Sequence, residues 1–180
     1  MRRYWTFASA ILGMISVAFA DPAHLEPSSF STNAQFSVDS GAVSLASAAV
    51  ATIEARNFAP GYSWLRIYFY SGPLSKEEIA GAMNGKVNSR WNAVIQLTVD
   101  KGLKVSQVDM SIPGHGCTIA PFEQEVRAFP QEYRFDGQNL RLKSKGSYVC
   151  DMKFMRIPNQ KFEWNIDLTV PVFEKVRSGK

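Results

Sequence analysis

Where the hydrophobicity of this chain is concentrated, apolar and polar side chains alternate residue by residue. Trp91, Ala93, Ile95, Leu97 and Val99 interleave with Asn92, Gln96, Thr98 and Asp100. Phe162, Trp164, Ile166, Leu168 and Val170 interleave in the same way with Glu163, Asn165, Asp167 and Thr169. A two-residue period puts one set on each face of an extended strand, so these segments predict a sheet with one dry face and one wet face. The segment Ser63 to Tyr70, SWLRIYFY, is apolar on both sides. Leu65, Ile67 and Phe69 point one way, and Trp64, Arg66, Tyr68 and Tyr70 the other, which predicts a central strand.

Weaker segments fill in the pattern. Phe36 and Val38 open a short strand, and Val43, Leu45, Ala49, Ala51 and Ile53 share the odd face of the next, which the NFAPG run at 57–61 ends. Asp100-Lys101-Gly102 turns 91–112 into a hairpin. Tyr133 and Phe135 lead into an Asp136-Gly137 turn, Leu140 and Leu142 follow, and Gly146 reads as a change of direction before the segments 147–156 and 161–171. Residues 113–130 lack a period and read as a loop. One helix is expected, from Lys76 to about Met83: Ser75 and Glu78 stand at capping-box spacing, Leu74 and Ile79 at staple spacing, and Asn84-Gly85 stops the run. The expected fold is mainly β, an antiparallel sandwich or open barrel of seven or eight strands with one short packed helix. The regularly alternating helices of a doubly wound sheet are missing.

Residues 1–20 read as a signal peptide. Arg2 and Arg3 precede a short apolar stretch, Phe7 to Val17, and Ala18-Phe19-Ala20 satisfies the small-x-small rule, so cleavage is expected after Ala20. The stretch is too short for a spanning helix, and no transmembrane anchor is expected after cleavage. Proline, serine and small polar residues make 21–35 a flexible lead-in, 36–173 a single β-rich domain and 174–180 a polar tail. The expected location is the periplasm or the cell exterior.

Export bears on the two cysteines. Cys117 and Cys150 would meet an oxidising compartment, and their even count makes a structural disulfide the expectation, with no CxxC spacing to suggest a redox pair. The alternative is a Cys117 nucleophile beside His115. Loss of Arg2 and Arg3 leaves 18 basic against 16 acidic residues, too near neutrality to predict nucleic-acid binding. The charge is unevenly spread: residues 141–180 hold nine basic and four acidic side chains, whereas 21–140 hold nine and twelve.

Candidate sites follow from these patterns. Arg141, Lys143 and Lys145 recur at alternate positions, as a strand facing phosphate, acidic glycan or an anionic lipid surface would carry them, although such a row also discourages edge pairing. Trp64, Tyr68 and Tyr70 offer amphipathic surface around Arg66 for a protein or glycan contact, or cover the helix. His115, with Asp109 upstream and Glu123 and Glu125 downstream, is the starting point for a small hydrolase, but His24 is the one other histidine. Glu77-Glu78 serve as first-turn charges of the helix. No catalytic motif and no metal or cofactor signature is present, so none of these groups is expected to hold a cofactor.

Three stretches, LRIYFYSGPLSKEEIA, VIQLTVDKGLKVSQVDM, and YRFDGQNLRLKSKG with the later FEWNIDLTVPV, together resemble small exported bacterial β-domain proteins of unknown function across residues 44–172. The CDMKFMRI segment and the cysteine pair depart from that pattern. The resemblance implies a noncatalytic exported module and carries over no catalytic residue. The functional expectation is therefore a binding or structural module that contacts an envelope protein or anionic envelope component. The alternatives are an inhibitor or immunity-like protein against an exported partner and the His115 hydrolase.

Overall fold

A computed structural model describes residues 25–39, 41–55, 61–102, 104–119, 129, 131–150 and 159–174. Among them are nine strands: β1 Ser31–Val38, β2 Val43–Ala55, β3 Tyr62–Tyr70, β4 Ala93–Asp100, β5 Val105–Ile112, β6 His115–Ile119, β7 Glu132–Phe135, β8 Asn139–Cys150 and β9 Gln160–Glu174. They form one sheet in the order β6-β5-β4-β3-β2-β1-β9-β8-β7, with every neighbour antiparallel and a short parallel pairing of Ala51–Ile53 with Val172–Glu174. The fold is thus mainly β, and its sheet is open. A flat sheet would hold β6 and β8, seven strand spacings apart, about 34 Å from each other. Cys117 of β6 and Cys150 of β8 instead form a disulfide with their Cα atoms 5.7 Å apart. The sheet therefore curls until β6 at one edge is tied covalently to β8, the strand next to the other edge.

Curling turns the alternation into an enclosed core. Leu65, Ile67, Phe69, Ile95, Leu97, Met110, Leu140, Leu142, Phe162 and Ile166 all point into the concave side, and Phe36 meets Phe69 edge-on at 4.9 Å. The strand β2 departs from the expected single odd face. Its inward residues are Ser44 and Ala46 at one end but Ala49 and Ala51 at the other, and Val43 and Leu45 are 60% and 61% exposed. The pairing of β1 with β2 shifts register between Ser31 and Ala34. An extra residue in a ladder reverses which side of the strand faces inward, and that reversal puts two aliphatic side chains in water.

A second, smaller core lies on the convex side. The helix α1, Lys76–Met83, has its Ser75 cap and both capping-box hydrogen bonds, and it lays Ile79 and Ala82 on Ala48, Val50 and Tyr70. Within the segment expected to be a flexible lead-in, Leu25 packs against the convex cluster and Ser31–Gln35 already belong to β1. Pro27–Phe30 make a 3-10 turn, β1 begins at Ser31, and Phe30 is fully buried against Phe173 at 6.1 Å. Its polar composition misled because Ala34, Phe36 and Val38 already alternate with Gln35 and Ser37 as one inward set. At the other end β9 runs on to Glu174, the first residue of the expected polar tail.

Two glycine-bearing segments also differ from expectation. Residues 115–119, read as part of a loop, form β6 on the sheet edge, paired with β5 from Val108↔Ile119 to Ile112↔His115. Gly146 does not redirect the chain: β8 passes straight through it, and Gly146 pairs with Trp164 of β9. A Cβ at position 146 would lie 2.8 Å from Cζ2 of the Trp164 indole, so glycine is there for space. Trp164 is 6% exposed, donates from Nε1 to Ser144 Oγ at 2.8 Å and meets Phe129 edge-on. Gly146→Ala is expected to cost about 1–3 kcal/mol through overpacking, measured by urea denaturation.

Candidate functional site

The helix divides the convex face of the sheet into a covered half and a bare half. In the covered half, Tyr70 is buried beneath α1 and Tyr68 packs at the rim of the same cluster. Burial, with help from the Glu78 carboxylate, raises the Tyr70 phenol far above its ordinary pKa. The other two members of this candidate set are also engaged within the sheet. The guanidinium of Arg66 lies 4.7 Å from the centroid of Trp64, donates from Nε to Gln96 Oε1 at 2.7 Å and pairs with Glu54 at 3.1 Å. Gln96 donates in turn to Asp109, which also accepts from Gln107 and Thr118. Arg66, Gln96, Asp109 and Thr118 occupy one register row across β3 to β6, so this ladder holds the strands side by side.

The hydrolase constellation comes apart on the same register. Asp109 pairs with Thr118 on the convex face, whereas His115 shares the inward side of β6 with Cys117 and Ile119. Its Nδ1 lies 3.0 Å from Gln160 Oε1 across the seam between β6 and β9. The sulfur of Cys117 is in the disulfide. Glu123 and Glu125 lie outside the described residues, as do Ala20 and residues 151–158 and 175–180. Glu77 and Glu78 belong to the helix cap, and Glu78 also binds Arg90 and Asn88. Among the described residues no three His, Cys, Asp or Glu side chains group to hold a metal ion, and no helix is long and apolar enough to cross a membrane.

The bare half, β7, β8, β1 and β9 short of its Phe173 end, carries the basic row. Arg141 bonds Asp167 through its guanidinium, donates to the Leu168 carbonyl at 3.2 Å and reaches Glu132 at 3.4 Å. That hydrogen bond holds the Asp167 carboxyl below the usual carboxylate range and raises Arg141. Lys143 stands 3.9 Å from the same Asp167 and is exposed. Lys145 is exposed at the next outward position. The three residues read as one row therefore separate: Arg141 stitches β7, β8 and β9 together, and Lys143 and Lys145 face outward.

Beside Lys145 lies a shallow groove of about 430 Å³, lined by Gln35, Ser37, Lys145, Ser147, Glu163 and Asn165. Two register rows build it: Lys145, Asn165, Gln35 and Leu45, then Ser147, Glu163, Ser37 and Val43. Gly146 and Trp164, whose positions face inward, complete the lining. Exposed Val43 and Leu45 stand on its β2 side and Val149, 54% exposed, beyond Ser147 on β8. Sequence reasoning missed Gln35 because it falls in the expected lead-in 21–35, and Ser37 because the strand opened by Phe36 and Val38 shows no neighbour; alternation with Ala34, Phe36 and Val38 was the available signal. Asn165 and Glu163 were visible only as a polar face with no neighbour. Comparison of the chain with protein-family models, with curated proteins and with solved structures finds no match.

Proposed function

We propose that this protein is a noncatalytic, exported binding module that contacts an anionic envelope component through the bare half of its convex face. The observation that carries this reading is the contrast between the two halves. One is spent on the helix and on an internally satisfied ladder, and the other presents Lys143, Lys145 and the exposed aliphatics Val43 and Leu45 around a polar groove. Single surface apolar residues are ordinary, but a rim of them beside a cationic row is the composition of a contact surface. The expected leader and the buried disulfide favour export.

The test is capture of envelope components by the cleaved protein, comparing wild type with K143E/K145E. Arg141 is left in place because its reversal would break contacts among β7, β8 and β9. The double reversal is expected to weaken capture at least tenfold at about 0.05 M salt, with the difference shrinking toward 0.5 M as screening removes the charge contribution. His115→Ala is expected to leave capture unchanged, since the imidazole lies at the inner seam. Unchanged capture by K143E/K145E would remove this face from the contact, and turnover lost in a folded H115A variant would make the protein an enzyme.

A further inference from the structure

Resting on the binding-module reading, we infer that the groove beside Gly146 holds a sugar ring of a carboxylate-bearing polysaccharide, with Lys143 and Lys145 meeting its acid groups. Four of the six lining side chains, Gln35, Ser37, Ser147 and Asn165, both donate and accept hydrogen bonds. Among the described residues none of these four side chains bonds to another group of the protein, so their heads are available together. A hydroxyl group has the same dual character, and a ring bearing several matches this lining better than an apolar side chain or a simple ion. Glu163 is already paired with Lys161 at 2.6 Å, so Lys145 is the charge of the lining left to meet an acid group of the ligand.

The surroundings supply the rest of the specificity. The volume of about 430 Å³ lies in the range of small-molecule sites and suits one or two sugar rings. Between the polar walls the floor is backbone, because positions 146 and 164 face the inner side of the sheet. Lys143 lies two residues from Lys145 on β8, roughly 7 Å along the strand. A polymer with a ring in the groove would run its next carboxylates along this cationic row, and charge complementarity favours an acidic chain over a neutral one.

Calorimetric titration of the cleaved protein with trigalacturonate, maltotriose and phosphatidylglycerol vesicles tests this. Trigalacturonate is expected to bind, maltotriose at least tenfold more weakly and vesicles not at all. Q35A/N165A, at two exposed positions, is expected to weaken trigalacturonate at least tenfold with an unchanged circular dichroism spectrum, and K143E/K145E to weaken it while removing its salt dependence. Equal binding of the neutral and acidic sugars, binding of vesicles alone, or full affinity in Q35A/N165A would overturn the inference. If no sugar binds while envelope capture still depends on Lys143 and Lys145, the saccharide inference falls and the module reading stands. If that dependence is also missing, both fall.

Discussion

Replacing Cys117 and Cys150 together by alanine is expected to lower the unfolding free energy by about 4 kcal/mol, a large part of what a domain of this size possesses. The two residues are 33 apart in sequence, and a loop of that length loses substantial closure entropy in the unfolded chain once it is tied. The native state adds a topological reason. The tie joins β6 at one sheet end to β8 beside the other, and the Nδ1–Oε1 contact of His115 and Gln160 lies at the same seam. Both cysteines are buried, so a reductant must wait for local opening. Guanidinium denaturation with and without dithiothreitol measures the loss. A change under about 1 kcal/mol would mean that the curled sheet holds its ends together without the covalent tie.

The second large effect concerns Phe30. Its ring is fully buried on the convex face, tilted against Phe173 and packed in one cluster with Ile79, Ala48 and Val50. It stands where β1 begins and β2 and β9 come together in parallel, so truncation leaves a cavity that the surrounding strands cannot close without giving up ladder hydrogen bonds. Phe30→Ala is expected to cost about 3–5 kcal/mol, the range for a large aromatic side chain removed from a packed core. Urea unfolding followed by fluorescence reads this. A cost below about 0.5 kcal/mol would restore the sequence expectation that residues 21–35 are loosely attached.

The contrast between these two sites shows what was legible in the sequence. Cys117 and Cys150 could be paired from export and count alone, and α1 could be placed from Lys76 to about Met83 because capping is a local signal, written within the span from Leu74 to Asn84. The central strands β3, β4 and β9 were equally plain, since a two-residue period needs no knowledge of neighbours. Phe30 was not, because a lone aromatic in PSSF gains meaning only from Phe173, far along the chain. Gly146 was misread for the same reason: its role is set by the Trp164 indole, and a glycine that makes room looks like a glycine that turns. The reversal in β2 depends on a register shift against β1, which no single strand reveals.

Candidate sites followed the same rule. Trp64, Arg66, Tyr68 and Tyr70 were grouped correctly on one strand face, but whether that face is free depends on α1 and on Glu54 and Gln96 from neighbouring strands. Arg141, Lys143 and Lys145 were a true outward row, and Asp167 and Glu132, supplied by β9 and β7, divide it into one engaged cation and two presented ones. Asp109 and His115, six residues apart, stand on opposite faces because the turn at Pro113-Gly114 carries β5 into β6 with Asp109 opposite Thr118.

The most direct test of the account is hydroxyl-radical footprinting of the cleaved protein, free and bound to the component it captures from its envelope. The bare half of the convex face is predicted to be protected, with reduced modification of Val43, Leu45, Lys143 and Lys145, while Ile79 and Met83 of α1 and Tyr62 and Trp64 of β3 keep their free-state reactivity. Protection centred on α1 and β3, with Val43, Leu45, Lys143 and Lys145 unchanged, would contradict it.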